Sequence, residues 1–201
     1  RRSAIGILTM IIDGGVRLQL DEAIAAALAG YEGTIAGLDP NAVGATVKAF
    51  FDGRLEVMLR DRGFEYDVVE AVMAVASADP ADTAHRVRAF TEFRQSDAGR
   101  NLSVAFKRVA NLADPVAGET PDHGIMGDEE GALADAVEIA YERVGALMTV
   151  DRDYEAALSA LADLRGPVDA FFESVLVMDP DPAVRVNRLA LLNRLRGLMV
   201  D

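Results

Sequence analysis

The side chains best suited to chemistry in this sequence are cationic and amide groups that recur at helical spacing after residue 96. At about 100° per residue, a helix over residues 97–113 has one apolar side and one polar side. The polar side carries a narrow stripe that consists of Arg100, Ser103, Lys107 and Asn111. Arg108 flanks this stripe. Lysine and arginine bind phosphates, and an asparagine amide donates and accepts hydrogen bonds at a base edge. The stripe therefore predicts an RNA-binding surface. A merely solvated polar face, which most amphipathic helices have, is the alternative.

The charge of the whole chain points away from nucleic acid. Its net charge is −13, and phosphate binding needs cationic surface. The charge is unevenly distributed, however. Residues 85–111 carry six basic and two acidic side chains, a net charge of +4, whereas residues 112–164 carry two basic and thirteen acidic ones. Residues 89–111 thus form a cationic helical island. Mixed-charge helices also fluctuate in this way, so charge alone leaves both interpretations open.

Residue types that are missing or rare exclude several classes of site. The chain has no cysteine and two histidines, which excludes disulfides and thiol catalysis and argues against zinc or His-rich metal sites. No phosphate-binding glycine loop, GxSxG or HExxH motif occurs. The carboxylates at 128–130 suit the first turn of a helix, where the helix dipole favours them. We therefore predict no catalytic residue and no metal site. No apolar run approaches the roughly 18 residues of a membrane span. The lack of cysteine fits a reducing compartment, and we expect a cytoplasmic protein.

Apolar residues recur at intervals of three and four along almost the whole chain, and no strand-length alternation occurs, so the predicted fold is all-α. Asp21 is predicted to cap a second, alanine-rich helix. The other predicted helices span 2–13, 41–62, 67–78, 82–95, 97–113, 128–150, 151–164, 168–178 (with Pro167 at its start) and 183–199. The DPAD stretch at 79–82 is the predicted domain junction. Residues 114–127 form the one long loop, which is either mobile or functional.

One arginine lies where an apolar residue is expected. The predicted buried stripe of the last helix consists of Val184, Leu191, Leu195 and Leu198. Arg188 falls inside this stripe. A buried guanidinium group needs a carboxylate partner. We expect Asp169 to be that partner, so that Arg188 and Asp169 form a structural ion pair. Arg185 and Asn187 lie on other faces and remain free to bind.

Several sequence runs resemble one protein family. They are VRAFTEFRQSDAGRNLSVAFKRVANL (87–112), PVDAFF (167–172), VLVM (175–178) and RVNRLALL (185–192). In this order they resemble the C-terminal region of the bacterial glycyl-tRNA synthetase β subunit. The upstream run FFDGRLEVMLRDRGFEYDVVEAV (50–72) resembles the helical segment that precedes this region, so the resemblance covers nearly the whole chain.

The resemblance implies a fold and a role. Residues 79–201 would be a helical anticodon-binding bundle of the arginyl-tRNA synthetase type, and residues 1–78 the helical end of the β-subunit body. The enzyme would be an α2β2 ATP-dependent ligase whose α subunit activates glycine, so ATP and magnesium would belong to the whole enzyme, and this part would hold no cofactor. Because the chain starts without methionine and lacks the family's His-Asp pair, we expect a fragment of a longer subunit.

The partner implied by the resemblance is tRNA-Gly, together with the α subunit and the rest of the β subunit; neither DNA nor a membrane is expected. Phosphate contacts would come from Arg94, Arg100, Lys107 and Arg108, and Asn111 would read a base. The acidic helix at 128–150 would face away from the RNA. Two alternatives stay open. One is the corresponding domain of an arginyl-type synthetase, and the other is a helical protein-interaction module that binds through its acidic surface.

Overall fold

The structure, a computed structural model, describes residues 1–31, 33–37, 39–75, 78–150 and 152–200. Every regular element in these ranges is helical, which confirms the all-α prediction. Two 3-10 turns, Pro115–Ala117 and His123–Ile125, lie between α6 and α7. The α-helices are α1 Arg2–Asp13, α2 Leu20–Ala29, α3 Pro40–Asp61, α4 Tyr66–Ala74, α5 Pro80–Gln95, α6 Asp97–Leu112, α7 Asp128–Val150, α8 Tyr154–Ala162, α9 Arg165–Ser174 and α10 Pro182–Val200.

Side-chain caps set several helix starts. Asp39 accepts the backbone N–H groups two and three positions ahead, at 3.0 and 3.2 Å, so α3 begins at the following proline. Asp153 accepts the N–H group of Ala156 at 2.9 Å, so α8 begins after it rather than at position 151, which lies outside the described residues. At the other end of an element, α4 ends at Ala74, earlier than predicted, and positions 76 and 77 also lie outside the described residues.

Two predicted helix starts are wrong. The N-cap of α2 is Gln19, and Asp21 lies inside the first turn, where its charge still complements the helix dipole. Helix α9 begins at Arg165, so Pro167 is its third residue rather than its first, and the helix ends before position 178. Proline is tolerated there because the N–H groups of a first turn have no acceptor within the helix.

The contacts divide the chain into two compact units, Arg1–Thr91 and Glu92–Asp201. In the first unit, α3 packs against α1, α2 and α4. Its buried core contains Leu8, Leu55, Leu59, Val68, Val69, Ala84 and Val87. The division falls inside α5, beyond the predicted junction at 79–82. The start of α5 therefore belongs to the first unit. There Asp79 and Asp82 are buried, and Arg17 binds both at 2.7 and 3.6 Å. The assignment of 79–201 to an anticodon-binding domain stays a prediction.

The second unit is a bundle in which α6 and α7 each pack on α8, α9 and α10. Its largest fully buried side chain is Phe171 of α9, surrounded by leucines and valines of the other four helices. Each fully buried side chain of this size stabilises the fold by about 1.5–3 kcal/mol.

Across the described ranges, none of the helices is long and apolar enough to cross a membrane.

The long loop between α6 and α7 is attached to α10. The side-chain amide of Asn193 donates to the carbonyl oxygens of Asp114 and Gly118, at 2.6 and 2.7 Å. Six positions earlier on α10, Asn187 bonds to the backbone of Asp122. Both asparagines are buried. The loop therefore has a defined path, although it contributes few side chains to the core.

Candidate nucleic-acid interface

Helix α6 is oriented by its apolar face and by the turn that precedes it. Leu102, Ala105 and Val109 are buried in the core of the second unit. The Ser96 hydroxyl accepts the N–H group of Gly99 at 3.0 Å and so caps the helix. Since one face is buried along the helix, the opposite face must point to solvent.

The junction between α5 and α6 depends on the lack of a side chain at Gly99. A Cβ atom at this position would lie 2.0 Å from the carbonyl oxygen of Phe93 and 3.2 Å from the Cα atom of Arg94. The last turn of α5 thus lies against the first turn of α6. This contact brings the exposed Arg94 to the same end of α6 as Arg100.

The predicted stripe lies on the surface of α6, but only some of its side chains already have a hydrogen-bond or ion-pair partner. Lys107 and Asn111 are exposed, and neither side chain has a partner among the residues that the structure describes. Arg100 is also exposed, but it binds Asp97 at 2.6 Å and the carbonyl oxygen of Gln95. The Ser103 hydroxyl donates to the carbonyl oxygen of the preceding turn at 2.8 Å. Lys107 and Asn111 are therefore the members most available to a ligand.

Arg108 has a different environment from Lys107. Its guanidinium carbon lies 4.3 Å from the centre of the Phe172 ring, and one of its nitrogen atoms lies 3.8 Å from an Asp169 oxygen atom. The side chain is still 47% exposed. Arg108 is therefore held against α9 and is only partly available to a phosphate.

Sequence reasoning missed Val104. This side chain is 66% exposed and lies one turn before Arg108 on the polar side of α6. The angle of about 100° per residue places it between Asn111 and Arg108 around the helix. The same periodicity could have found it, as an apolar residue on the wrong side of an amphipathic helix.

The predicted ion pair between Arg188 and Asp169 is wrong. Arg188 is largely buried, with 16% of its side chain exposed, but its carboxylate partners are Glu130 of α7 and Asp179, the latter at 2.7 Å. Asp169 lies on α9 beside Arg108 and Arg165 instead. The start of α7 and the segment before α10 pack around Arg188, and the sequence does not show which elements meet there.

The described ranges contain no group of three or more His, Cys, Asp or Glu residues arranged to hold a metal ion. The chemistry of the α6 surface is that of charge and hydrogen bonding. It offers ammonium and guanidinium groups, the amide of Asn111 and the exposed side chain of Val104, which are the kinds of group that RNA-binding surfaces use for phosphates and bases.

The chain is similar in sequence to known proteins. A family model described as glycyl-tRNA synthetase beta subunit matches residues 1–74. The whole chain aligns with proteins named glycine–tRNA ligase beta subunit, with 40% identity over 207 residues in Aliivibrio salmonicida (strain LFI1238) and 39% over 208 residues in Vibrio vulnificus (strain YJ016). These homologues are named as glycine–tRNA ligase β subunits. The chain spans 29% and 30% of the length of these two relatives, respectively.

Proposed function

We propose that this chain is the C-terminal region of a glycine–tRNA ligase β subunit and that it holds the anticodon arm of tRNA-Gly. In this proposal, residues 79–201 are the anticodon-binding domain, and residues 1–78 are the helical end of the subunit body. Homology along the whole chain to proteins named as β subunits supports the family part of the proposal. The surface of α6 supports the RNA-binding part.

One observation carries the proposal. In a chain with a net charge of −13, the exposed face of α6 combines Lys107 and Asn111, two polar side chains without a partner in the described part of the chain, with an arginine at its start. The ammonium group of Lys107 and the guanidinium groups of Arg94 and Arg100 would bind phosphates. Asn111 would form hydrogen bonds with an unstacked base, because proteins read RNA sequence mainly in single-stranded loops.

No bond is made or broken by this chain in the proposed mechanism. The α subunit of an α2β2 enzyme would activate glycine with ATP and magnesium and transfer it to the tRNA. Holding the distal arm orients the acceptor end, so binding energy used at α6 contributes to the rate at a remote site. The working environment would be the cytoplasm, and neither DNA nor a membrane would take part.

A protein-interaction surface is the second candidate, and one observation favours it. Ile139 of α7 is 64% exposed, and Asp135 and Glu142 lie one turn before and about one turn after it on the same side of the helix. An exposed apolar side chain among acidic ones would suit a basic partner surface.

Binding of the 201-residue chain to RNA tests the proposal. Three transcripts are compared across a salt series: tRNA-Gly, tRNA-Gly with an altered anticodon, and tRNA-Arg. Tighter binding to unaltered tRNA-Gly, with a salt slope of roughly 2 to 3, supports a few phosphate contacts and base readout. Equal affinity for all three transcripts contradicts base readout. Preference for tRNA-Arg favours an arginyl-type domain, and the absence of RNA binding favours the protein-interaction surface.

A further inference from the structure

The contacts of Arg108 differ from those of a phosphate ligand. Asp169 lies 3.8 Å from the Arg108 guanidinium group and neutralises part of its charge. The same group lies over the Phe172 ring, with 4.3 Å between the guanidinium carbon and the ring centre. The Phe172 ring thus contacts the guanidinium group, while 47% of the Arg108 side chain stays exposed, so a planar cationic group remains accessible to a ligand.

We propose that Arg108 is a stacking platform for one unpaired nucleobase of the bound RNA. The base would stack on the exposed side of the guanidinium plane, so that the order of layers is base, guanidinium group and Phe172 ring. Arginine planes are suited to this because every base has a π face, and stacking does not require a matching hydrogen-bond pattern. The inference rests on the proposed function, since it names the part of the RNA that this side chain binds.

The ring behind Arg108 is anchored. Phe172 packs edge to face on Phe171, with 5.4 Å between ring centres and an angle of 73° between the ring planes. Phe171 is fully buried in the core of the second unit. The platform is therefore largely organised before RNA arrives, which lowers the conformational entropy lost on binding. A mobile lysine or arginine on a helix surface lacks this advantage.

The neighbours of Arg108 on α6 suit a nucleobase. Val104 lies one turn before it and exposes an apolar surface beside the platform. Asn111 lies almost one turn after it, exposed and without a partner in the described ranges, and its amide can donate and accept at a base edge. The three side chains thus combine a stacking surface, an apolar contact and a hydrogen-bonding group on adjacent turns.

The test replaces arginine by lysine, which keeps the charge and removes the plane. Removal of a stacking partner weakens binding by about 5- to 150-fold per base. We expect Arg108→Lys to weaken binding to tRNA-Gly within this range while the salt slope stays unchanged. Arg143→Lys is the matched control, because Arg143 is also an exposed arginine paired with a carboxylate but lies on α7, outside the α6 surface; it should bind as the wild type does. Phe172→Leu, verified as folded by circular dichroism and thermal unfolding, should also weaken binding.

Transcripts with one abasic nucleotide in the anticodon loop identify the stacked base. When the base that stacks on Arg108 is the one removed, wild type and Arg108→Lys should bind that transcript equally, because neither protein can then form the stacking interaction. Equal binding of both proteins to the intact transcript would overturn the platform, and so would an Arg108→Lys defect that is the same on every abasic transcript. If the wild type binds no tRNA, the proposed function fails as well, so the two failures are distinguishable.

Discussion

Asn187 and Asp122 bind each other through two hydrogen bonds, although 65 positions separate them in the chain. The backbone N–H group of Asp122 donates to the Asn187 side-chain oxygen at 2.6 Å, and the Asn187 amide donates to the Asp122 carbonyl oxygen at 3.0 Å. One buried amide thus satisfies both backbone groups of a loop residue, which would otherwise lose their water partners. This pair, with Asn193, fixes an acidic loop along α10.

Replacing Asn187 by alanine should therefore release the loop. We expect a loss of about 1–3 kcal/mol in the free energy of unfolding, because two backbone groups lose their partner. Denaturant unfolding measures the loss, and hydrogen exchange should show faster exchange at the Asp122 amide. Asn41→Ala, at an exposed position of α3, is the control and should change the unfolding free energy little. Unchanged exchange at Asp122 would contradict the role of this pair.

A second prediction concerns the close approach of α5 and α6 at Gly99. Gly99→Ala would place a Cβ atom 2.0 Å from the Phe93 carbonyl oxygen, so the end of α5 must move. We expect a destabilisation of about 1–3 kcal/mol, or more if the junction cannot adjust. Gly131→Ala is the control, since a Cβ atom there meets nothing within 4 Å inside a helix. It should stabilise by about 0.5–1 kcal/mol. A neutral Gly99→Ala variant would show that this junction is not tight.

The environment of Arg188 makes a third prediction. Glu130 is 4% exposed and binds Arg188, so Arg188→Ala leaves a carboxylate buried without its cation. Removal of one partner of a buried pair costs about 3–5 kcal/mol. By contrast, Asp169→Asn affects only half-exposed pairs with Arg108 and Arg165 and should cost less than about 1 kcal/mol. Urea unfolding of the two variants gives both values. Similar losses would mean that Asp169 and Glu130 have equivalent roles, against the structure.

The pH dependence of stability follows from the pair between α7 and α10. Arg194 donates two hydrogen bonds to Glu138, at 2.8 and 3.0 Å, and these bonds hold the pKa of Glu138 below its ordinary value. A lowered carboxyl pKa stabilises the fold above the pKa of the unfolded state, about 4.3 for glutamate, and this contribution is lost as the pH falls through the folded value. We expect wild type to exceed Glu138→Gln in unfolding free energy at pH 7.

The difference between wild type and Glu138→Gln should then shrink as the pH falls below about 4.3, because protonated glutamate resembles glutamine. Unfolding free energies measured between pH 7 and pH 3 test this trend. The pair is about half exposed on the glutamate side, so the effect should also weaken in high salt. A difference that is independent of pH would mean that Glu138 stabilises through packing rather than charge.

Local patterns predicted much of this molecule. Apolar residues recurring at three and four placed the helices Arg2–Asp13 and Asp128–Val150, because this spacing depends on neighbours within one or two turns. The periodicity of α6 also placed Lys107 and Asn111 on an exposed face. Such patterns report which side of a helix is buried and say nothing of what it is buried against.

The errors concern partners that are distant in the chain. Arg188 needed a carboxylate, but the packing of α7 against α10 decided that Glu130, rather than Asp169, supplies it. Asn187 lies outside the predicted buried stripe and was therefore predicted to be free to bind, whereas the loop before α7 covers it. For the same reason the sequence could not show that Phe172 lies behind Arg108. These contacts require the tertiary arrangement of at least two elements.

The two lysines of the chain provide the sharpest test of the α6 surface. Lys107 is exposed without a partner in the described residues, whereas Lys48 of α3 binds Asp52 at 2.8 Å. Neutralisation of a phosphate ligand lowers the salt slope by about 1 and weakens binding to all tRNA sequences alike. We expect this result for Lys107→Gln and no change for Lys48→Gln, measured with tRNA-Gly at several salt concentrations. Equal effects of the two variants would indicate attraction by overall charge rather than a contact on α6, since both remove one positive charge from the same acidic chain.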